Sequence, residues 1–269
     1  DARADERIVH VADAADLRPG DDVAVGWTIT EAFVAAHGMT GVWKAFLGQW
    51  KPVFRRTVVA VDRTSKPMAV TLDVPLRYAA LVRDGASVRR ESGHLAEVGI
   101  EALAVSTAVD PDAAWTNVRH HAICLDGVKD AWVRPVRSFA APLPSAGGAH
   151  LQCGGVLVVN AKRVTVADTR MEAAQNRGPS GCGYLFEVSR SSEVLFRDCI
   201  GRAGRHNFIR NWDFGTSGCV WLRVRSSEGR VLASKGDRTG GPGLCEYHHS
   251  LAMACLVDDS VLDDGWFAG

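Results

Sequence analysis

The sequence lacks an excess of either charge. Its 31 Lys and Arg residues are balanced by 31 Asp and Glu residues. A protein that holds nucleic acid or an anionic membrane through its net charge carries a clear surplus of positive residues. The composition therefore gives no reason to expect nucleic acid or a membrane surface as a partner.

Long apolar runs are missing as well. No stretch approaches the roughly 20 apolar residues that a membrane-spanning helix needs, so no membrane span is predicted. The chain begins at Asp1 without a methionine, and nothing at that end resembles a signal peptide. We expect a processed or trimmed chain, or a fragment.

Two kinds of cofactor motif are also missing. The 7 cysteines include no CxxC pair, so neither a zinc knuckle nor a thioredoxin-like site is predicted. No GxGxxG motif opens a helix, and nucleotide binding is therefore not expected. Cys124, Cys153 and Cys182 are evenly spaced, which indicates stacked positions in a repeat. Several cysteines lie among apolar strand residues, where we expect them to fill the core: Cys153, Cys182, Cys199, Cys219 and Cys255.

What is present at the N-terminus is a set of strands and turns. "RIVHVADAADLRPGDDVAV" and "RTVVAVDRTSKPMAVTLDVPL" alternate apolar and polar residues on either side of turn residues. Between them, Thr30 is placed to cap a short helix that Gly38 would end. We predict that residues 1–87 form a strand-rich segment with a helical insertion.

From residue 88 to residue 269 a repeat appears. Short apolar strands, polar turns and second alternating strands follow one another, as in "GVLVVNAKRVTVADTRME" and "GYLFEVSRSSEVLFRDCIG". The first strands recur at intervals of 33, 29 and 24 residues, and a step of 42 then carries the insertion "SKGDRTGGPG". The positions compared are Ile123, Val156, Leu185, Ile209 and Leu251. A repeat of this length made of strands is typical of a solenoid, because one coil cannot bury its apolar face alone.

The pattern predicts an all-β parallel β-helix, with an irregular β-sandwich as the alternative. The repeat resembles the right-handed parallel β-helix superfamily typified by pectate lyases, and the resemblance extends from Ile8 to Trp266. It implies a carbohydrate-active protein, while no catalytic motif of one family can be matched residue by residue. The chain ends at Gly269 directly after a strand-like coil. We expect a C-terminal continuation, or self-association with a partner that covers this end.

Stacked coils lie about 4.8 Å apart, so equivalent polar residues form ladders along the solenoid. Such a ladder suits an extended polysaccharide, which needs many hydrogen-bond partners in a row. The residues predicted to bind substrate are His121, His150, Gln152, Gln175, Asn176, Asn207, Trp212, Tyr247 and His248. The alternative is that these ladders stabilise the solenoid through hydrogen bonds between coils.

The stretches "GRHNFIRNWDFG" and "CEYHHS" are expected on successive coils. They supply a base, a cation and a carboxylate pair, and the predicted catalytic residues are Arg205, His206, Asp213, Glu246 and His249. Cleavage of an acidic polysaccharide by either lyase or hydrolase chemistry fits these residues. A non-catalytic, glycan-binding adhesin or tailspike-like module, or a purely structural solenoid, is the alternative. We expect a secreted, periplasmic or cell-surface protein.

Four aspartates crowd the stretch "LVDDSVLDDGW". Asp258 and Asp259 are expected in the turn between the two strands of one coil, and Asp263 and Asp264 at the end of the second strand. We predict solvated turns and no cofactor. Calcium is the alternative because oxygen ligands cluster here, although the spacing matches no EF-hand loop.

Overall fold

The computed structural model describes residues 1–116 and 118–268. Its N-terminal part contains β1 (Ile8–Val11), β2 (Asp22–Thr28), α1 (Glu31–Ala36), β3 (Trp50–Asp62), β4 (Met68–Leu72) and β5 (Ser87–Arg90). These strands form an antiparallel sheet in the order β1-β4-β3-β2-β5. The Thr30 side chain accepts a hydrogen bond of 3.1 Å from the Phe33 N–H, which confirms the predicted start of the helix.

The rest of the chain is built almost entirely of short strands. The helix α2 (Pro111–Thr116) and two 3₁₀ turns, at Val82–Asp84 and Pro144–Ala146, are the exceptions. The strands of the first half are β6 (Leu95–Ala96), β7 (Gly99–Val105), β8 (His121–Asp126), β9 (Val128–Ser138), β10 (Gly154–Val159), β11 (Lys162–Ala167), β12 (Arg170–Glu172), β13 (Tyr184–Ser189), β14 (Ser192–Arg197) and β15 (Ile200–Arg202). Those of the second half are β16 (His206–Arg210), β17 (Val220–Leu222), β18 (Arg225–Ser227), β19 (Arg230–Val231), β20 (Gly241–Pro242), β21 (Cys245–Tyr247), β22 (Leu256–Asp258), β23 (Val261–Leu262) and β24 (Trp266–Ala268). The helix α2 was not predicted from the sequence.

These strands pair in parallel and wind into a solenoid with three faces. The first face is the sheet β8-β10-β13-β16-β21-β24. The second face contains the first half of β9 with β11, β14, β17 and β22, and the third contains the second half of β9 with β12, β15, β18 and β23. Parallel pairing of one coil with the next excludes the sandwich alternative, whose sheets are antiparallel. The predicted all-β parallel β-helix is confirmed.

The strand register corrects several positions of the predicted repeat. Val156 does lie beside Ile123, but its other neighbour is Phe186 and the next residue in that row is Phe208, so Leu185 and Ile209 were each misplaced by one residue. The first-face strand that was predicted at Leu251 is instead formed by Cys245–Tyr247, and Leu251 lies outside any strand. The error arose because "SLAMA" is apolar, yet its residues pack as a loop against the N-terminal sheet.

The same shift moves the aspartates of "LVDDSVLDDGW". Asp258 ends β22 beside Leu222, so Asp258 and Asp259 belong to the corner between the second and third faces. Asp263 and Asp264 follow β23. The sequence had predicted Asp258 and Asp259 at the corner between the first and second strands of the coil, and this position was wrong by one corner. Cys124, in turn, lies in register with Leu157 and does not stack on Cys153.

The corner between the second and third faces has a constant length. In four coils it consists of two residues, and the first of the two has a positive φ of 44° to 54°. These first residues are Asp168, Asp198, Arg223 and Asp259. Aspartate tolerates the left-handed conformation better than most residues, which accounts for its repetition here. The corners on either side of the first face vary in length, from the single residue Gly127 to the long segment 228–244.

Apolar side chains fill the solenoid and also join it to the N-terminal sheet. Phe186 stacks on Phe208 with ring centroids 4.8 Å apart, one coil above the other. Phe214 and Met253, from two long first-face corners, are buried in the apolar cluster of the N-terminal sheet. No helix in residues 1–116 or 118–268 is both long and apolar enough to cross a membrane.

Candidate functional site on the first face

The register of the first face brings two aromatic rings together at its edge. Tyr184 begins β13 and lies directly beside His206, which begins β16, with ring centroids 5.2 Å apart. The next strand, β21, places Glu246 beside Ile209 of β16. The prediction that "GRHNFIRNWDFG" and "CEYHHS" lie on successive coils is therefore confirmed.

The hydrogen bond of His206 defines which of its ring nitrogens carries a proton. Nδ1 lies 2.5 Å from the carbonyl oxygen of Leu244, and because a carbonyl can only accept, Nδ1 donates. Nε2 is buried without a hydrogen-bond partner in the described part of the chain. It lies 3.4 Å from Oε2 of Glu246. Burial lowers the pKa of His206, so the neutral ring presents a free lone pair toward that carboxylate.

Glu246 is held between two histidines. Its Oε1 lies 2.5 Å from Nδ1 of His248, and its Oε2 faces His206. Burial alone would raise its pKa, but the hydrogen bond and charge of His248 outweigh burial and lower it. His249 is exposed, and its ring centroid lies 3.9 Å from that of His248. We call Tyr184, His206, Glu246 and His248 the His206 cluster.

Arginine borders this cluster. The guanidinium carbon of Arg205 lies 5.8 Å from the Tyr184 ring centroid, and Nη1 of Arg205 donates to the Gly178 carbonyl at 2.8 Å. Burial raises the pKa of Tyr184 to about 12, although the charge of Arg205 acts in the opposite direction. Tyr184 therefore stays protonated at neutral pH.

The same face carries a second charged cluster, which the sequence did not predict. Glu187 of β13 is fully buried, and its carboxylate binds Nε2 of His121 at 2.9 Å and Nη2 of Arg119 at 3.3 Å. Asn211 donates to the same carboxylate. Burial raises the pKa of Glu187, but these hydrogen bonds and charges dominate and lower it. The signal was a lone acidic residue inside the apolar strand "YLFEVS".

Other residues predicted to bind substrate lie at the corner between the third and first faces. His150 contacts Ser138 at 3.0 Å through Nδ1, and Gln152 is buried. Gln175 bonds both backbone groups of Val109, and the Asn176 amide donates to the Ala114 carbonyl. Gln175 and Asn176 thus hold the segment around α2. The structure gathers these four residues at one corner, apart from the hydrogen-bonded His206 cluster.

Of the remaining predicted residues, Asn207 and Tyr247 lie inside the solenoid, and Trp212 lies on its surface. Asn207 points into the solenoid, where its amide donates to Ser226 and Asp264. Tyr247 packs inside, with its ring centroid 4.9 Å from that of Trp266. Trp212 is 40% exposed beside Phe46.

Asp213 accepts a hydrogen bond from the Phe214 N–H and lies 4.0 Å from Arg190. Its contacts are thus separate from those of Glu246, which binds His206 and His248. The structure therefore does not assemble the predicted carboxylate pair into one hydrogen-bonded group.

Acidic residues do not gather into a metal-binding group in the described ranges. There, no set of three or more His, Cys, Asp or Glu side chains is arranged to hold a metal ion. Asp258 and Asp259 are exposed at their corner. The calcium alternative therefore rests on the sequence alone.

Comparisons with known proteins find similarity among solved structures only. No family model matches this chain, and no curated protein does. Among solved structures, the tailspike protein gp49 from Pseudomonas phage LKA1 is similar, with a TM-score of 0.47 and 12% sequence identity over 96% of this chain. The similarity covers 40% of the tailspike chain, so this chain spans less than half of that protein. A likeness at this level carries no argument about activity. The assignment of a parallel β-helix follows from the strand pairing.

Proposed function

We propose that the first face binds an acidic polysaccharide and that the His206 cluster cleaves it by β-elimination. The observation that carries the proposal concerns Nε2 of His206: it has no hydrogen-bond partner among residues 1–116 and 118–268, it lies 3.4 Å from Oε2 of Glu246, and its ring packs beside Tyr184. Acidic polysaccharides are met mainly outside the cytosol, so the proposal implies a secreted, periplasmic or cell-surface protein.

The long corners support binding at this face. Segments 139–153, 173–183 and 228–244 border one side of the first face, and segments 211–219 and 248–255 border the other. An extended polymer lying between them would meet side chains from several coils, about 4.8 Å apart. Exposed Trp212 offers an apolar surface on one side, and Arg119 and Arg205 offer positive charge.

In the proposed reaction, His206 is the base. Its neutral Nε2 takes the proton from the carbon next to the uronate carboxylate, and that C–H electron pair forms the new C=C bond. The bond from the neighbouring carbon to the glycosidic oxygen breaks, and the leaving oxygen takes the proton of the Tyr184 hydroxyl. Glu246 stabilises the imidazolium that forms, and Arg205 neutralises the carboxylate of the substrate.

Hydrolysis needs two carboxylates that flank the glycosidic bond. Glu187 is fully buried in its ion pairs with His121 and Arg119, and Asp213 contacts Phe214 and Arg190. Glu246 therefore lacks a carboxylate partner in its own cluster, and the geometry favours elimination over hydrolysis.

The test is to incubate the protein with a panel of uronate-containing and neutral polysaccharides. We expect ultraviolet absorbance from an unsaturated product with an acidic member of the panel. H206N should reduce the rate about 100-fold or more, since general bases contribute roughly that much. H10N, the same change at an exposed histidine of β1, should leave the rate unchanged.

New reducing ends without ultraviolet absorbance would replace elimination with hydrolysis. Binding of an acidic polysaccharide without any product would support the second candidate, a non-catalytic glycan-binding module. That candidate is favoured by the burial of the cluster: Tyr184, His206 and Glu246 are only 3%, 6% and 8% exposed. In that case H206N should lower the free energy of unfolding and leave the affinity for the polysaccharide nearly intact.

A further inference from the structure

Two cysteines lie side by side on neighbouring coils of the second face. Val220 and Leu256 are direct partners in the parallel pair of β17 and β22, so the residues before them, Cys219 and Cys255, are neighbours too. The N–H of Leu256 donates to the carbonyl oxygen of Cys219 at 2.9 Å. The backbone geometry around this pair is thus that of regular parallel strands.

The sulfur atoms occupy equivalent positions in the two coils. Sγ of Cys219 contacts the Ser217 carbonyl at 3.7 Å, and Sγ of Cys255 contacts the Met253 carbonyl at 3.4 Å. Ser217 and Met253 are themselves bridge partners. Neighbouring parallel strands are about 4.8 Å apart, which lies inside the range of about 4.4–6.8 Å between the Cα atoms of a disulfide. The pairing of these strands therefore places the two cysteines within the Cα separation that a disulfide requires.

We infer that Cys219 and Cys255 form a disulfide that links the coils of β17 and β22 under oxidising conditions. The oxidant is a low-molecular-weight disulfide such as oxidised glutathione. The half-buried Cys255 thiolate attacks one of its sulfurs and releases one glutathione thiolate. The Cys219 sulfur then attacks Sγ of Cys255 and releases the second thiolate, and the two protons from the cysteines pass to the released thiolates or to solvent.

The ionisation of the pair agrees with this order of attack. The hydrogen bond between the two side chains lowers the pKa of Cys255 to about 7 and raises that of Cys219. Cys219 is fully buried, so it cannot meet the oxidant directly. Cys255 is therefore the first nucleophile, and Cys219 resolves the mixed disulfide.

The linkage would also raise the stability of the folded protein. The segment 219–255 contains Glu246 and His248, and the disulfide would close it into a loop. Closing a loop of this size restricts the unfolded chain, so the oxidised protein should melt about 5–10 °C higher than the reduced protein. This expectation does not depend on polysaccharide cleavage.

The experiment uses the full chain with C124S, because Cys124 is exposed and would join separate molecules. The folded protein is equilibrated with oxidised glutathione, alkylated, digested and mapped by mass spectrometry. We expect a Cys219–Cys255 peptide pair, the loss of two free thiols per chain and the higher melting temperature. C199S removes a buried cysteine of another coil and should leave the linked peptide unchanged.

C255S should abolish both the linked peptide and the rise in melting temperature. C219S, with circular dichroism to verify folding, should do the same and leave Cys255 glutathionylated. Both thiols remaining free in the oxidised folded protein would overturn the inference. So would a disulfide that joins Cys153 to Cys182 and leaves Cys219 and Cys255 reduced.

Discussion

At the scale of single residues, burial controls the charge of His206. Its pKa is lowered in the folded protein, whereas the unfolded chain titrates near the ordinary value of about 6.5. Below that pH the unfolded state binds more protons, so the free energy of unfolding falls as the pH is lowered. His94, His150 and His249 are shifted in the same direction.

We therefore predict that the midpoint of urea unfolding decreases between about pH 7.5 and about pH 5.5. H206N should make this decrease shallower, because the variant no longer takes up that proton on unfolding. H10N serves as the control and should keep the slope of the parent protein. An identical slope in H206N and the parent would contradict the assigned shift.

Glu187 provides a second prediction at this scale. Its buried carboxylate is the common partner of His121, Arg119 and Asn211. E187A leaves these donors unpaired and should lower the free energy of unfolding by about 3 kcal/mol. E101A removes a half-exposed carboxylate that pairs with Arg134, and it should cost less than about 1 kcal/mol. Urea denaturation of both variants measures the difference.

Residue identity alone could suggest part of the candidate site. His206 and Glu246 were predicted because polar residues recur in the sequence directly before apolar strands. Glu187 was missed because burial of a carboxylate depends on partners that lie far away in the sequence, at His121 and Asn211. Asn207 shows the opposite case, since an amide that looked available for substrate hydrogen-bonds inside the solenoid.

At the scale of the structural elements, Lys162 joins the N-terminal sheet to the solenoid. It begins β11, and its side chain is 2% exposed. The ammonium donates to Asp22 at 2.6 Å, to the Arg56 carbonyl at 2.9 Å and to the Thr57 hydroxyl at 2.8 Å. Three acceptors from two antiparallel strands, β2 and β3, are thus held by one residue of the second face.

K162M should lower the free energy of unfolding by about 3–5 kcal/mol, since it leaves the Asp22 carboxylate poorly compensated. K129M removes the other lysine that binds Asp22. The Lys129 side chain is 23% exposed, so this variant should lose clearly less free energy of unfolding than K162M. Urea denaturation measures both effects. The double variant, D22N with K162M, should lose less free energy of unfolding than the sum of the two single variants. A loss equal to that sum would show that Asp22 and Lys162 are not coupled.

Strand existence was easier to predict than register. Alternating apolar residues identified β11 and β14, in which nearly every second side chain is buried, and short apolar runs identified the buried strands β10 and β13. The position of Leu251 was wrong because an apolar loop and an apolar strand have the same composition. Only the packing of that loop on the N-terminal sheet distinguishes them.

At the scale of the whole molecule, stability should vary along the solenoid. Coils in the middle contact a coil on each side, and the residues of β13 and β16 are all buried. β22, β23 and β24 contain only exposed and half-buried residues. In a stacked repeat, each coil is stabilised mainly by its neighbours.

We predict that amide hydrogen exchange is slowest in β13 and β16 and fastest in β22 to β24. Exchange measured peptide by peptide with mass spectrometry tests this order. Equal protection in all coils would indicate that the solenoid opens only as one unit.

The two-residue corner between the second and third faces has a practical consequence for redesign. Since four coils cross it in two residues, a one-residue deletion there would turn the side chains of the following third-face strand to the opposite side. The corners beside the first face already differ in length by many residues, so foreign peptides could be spliced into 228–244 while the pitch of the scaffold is preserved.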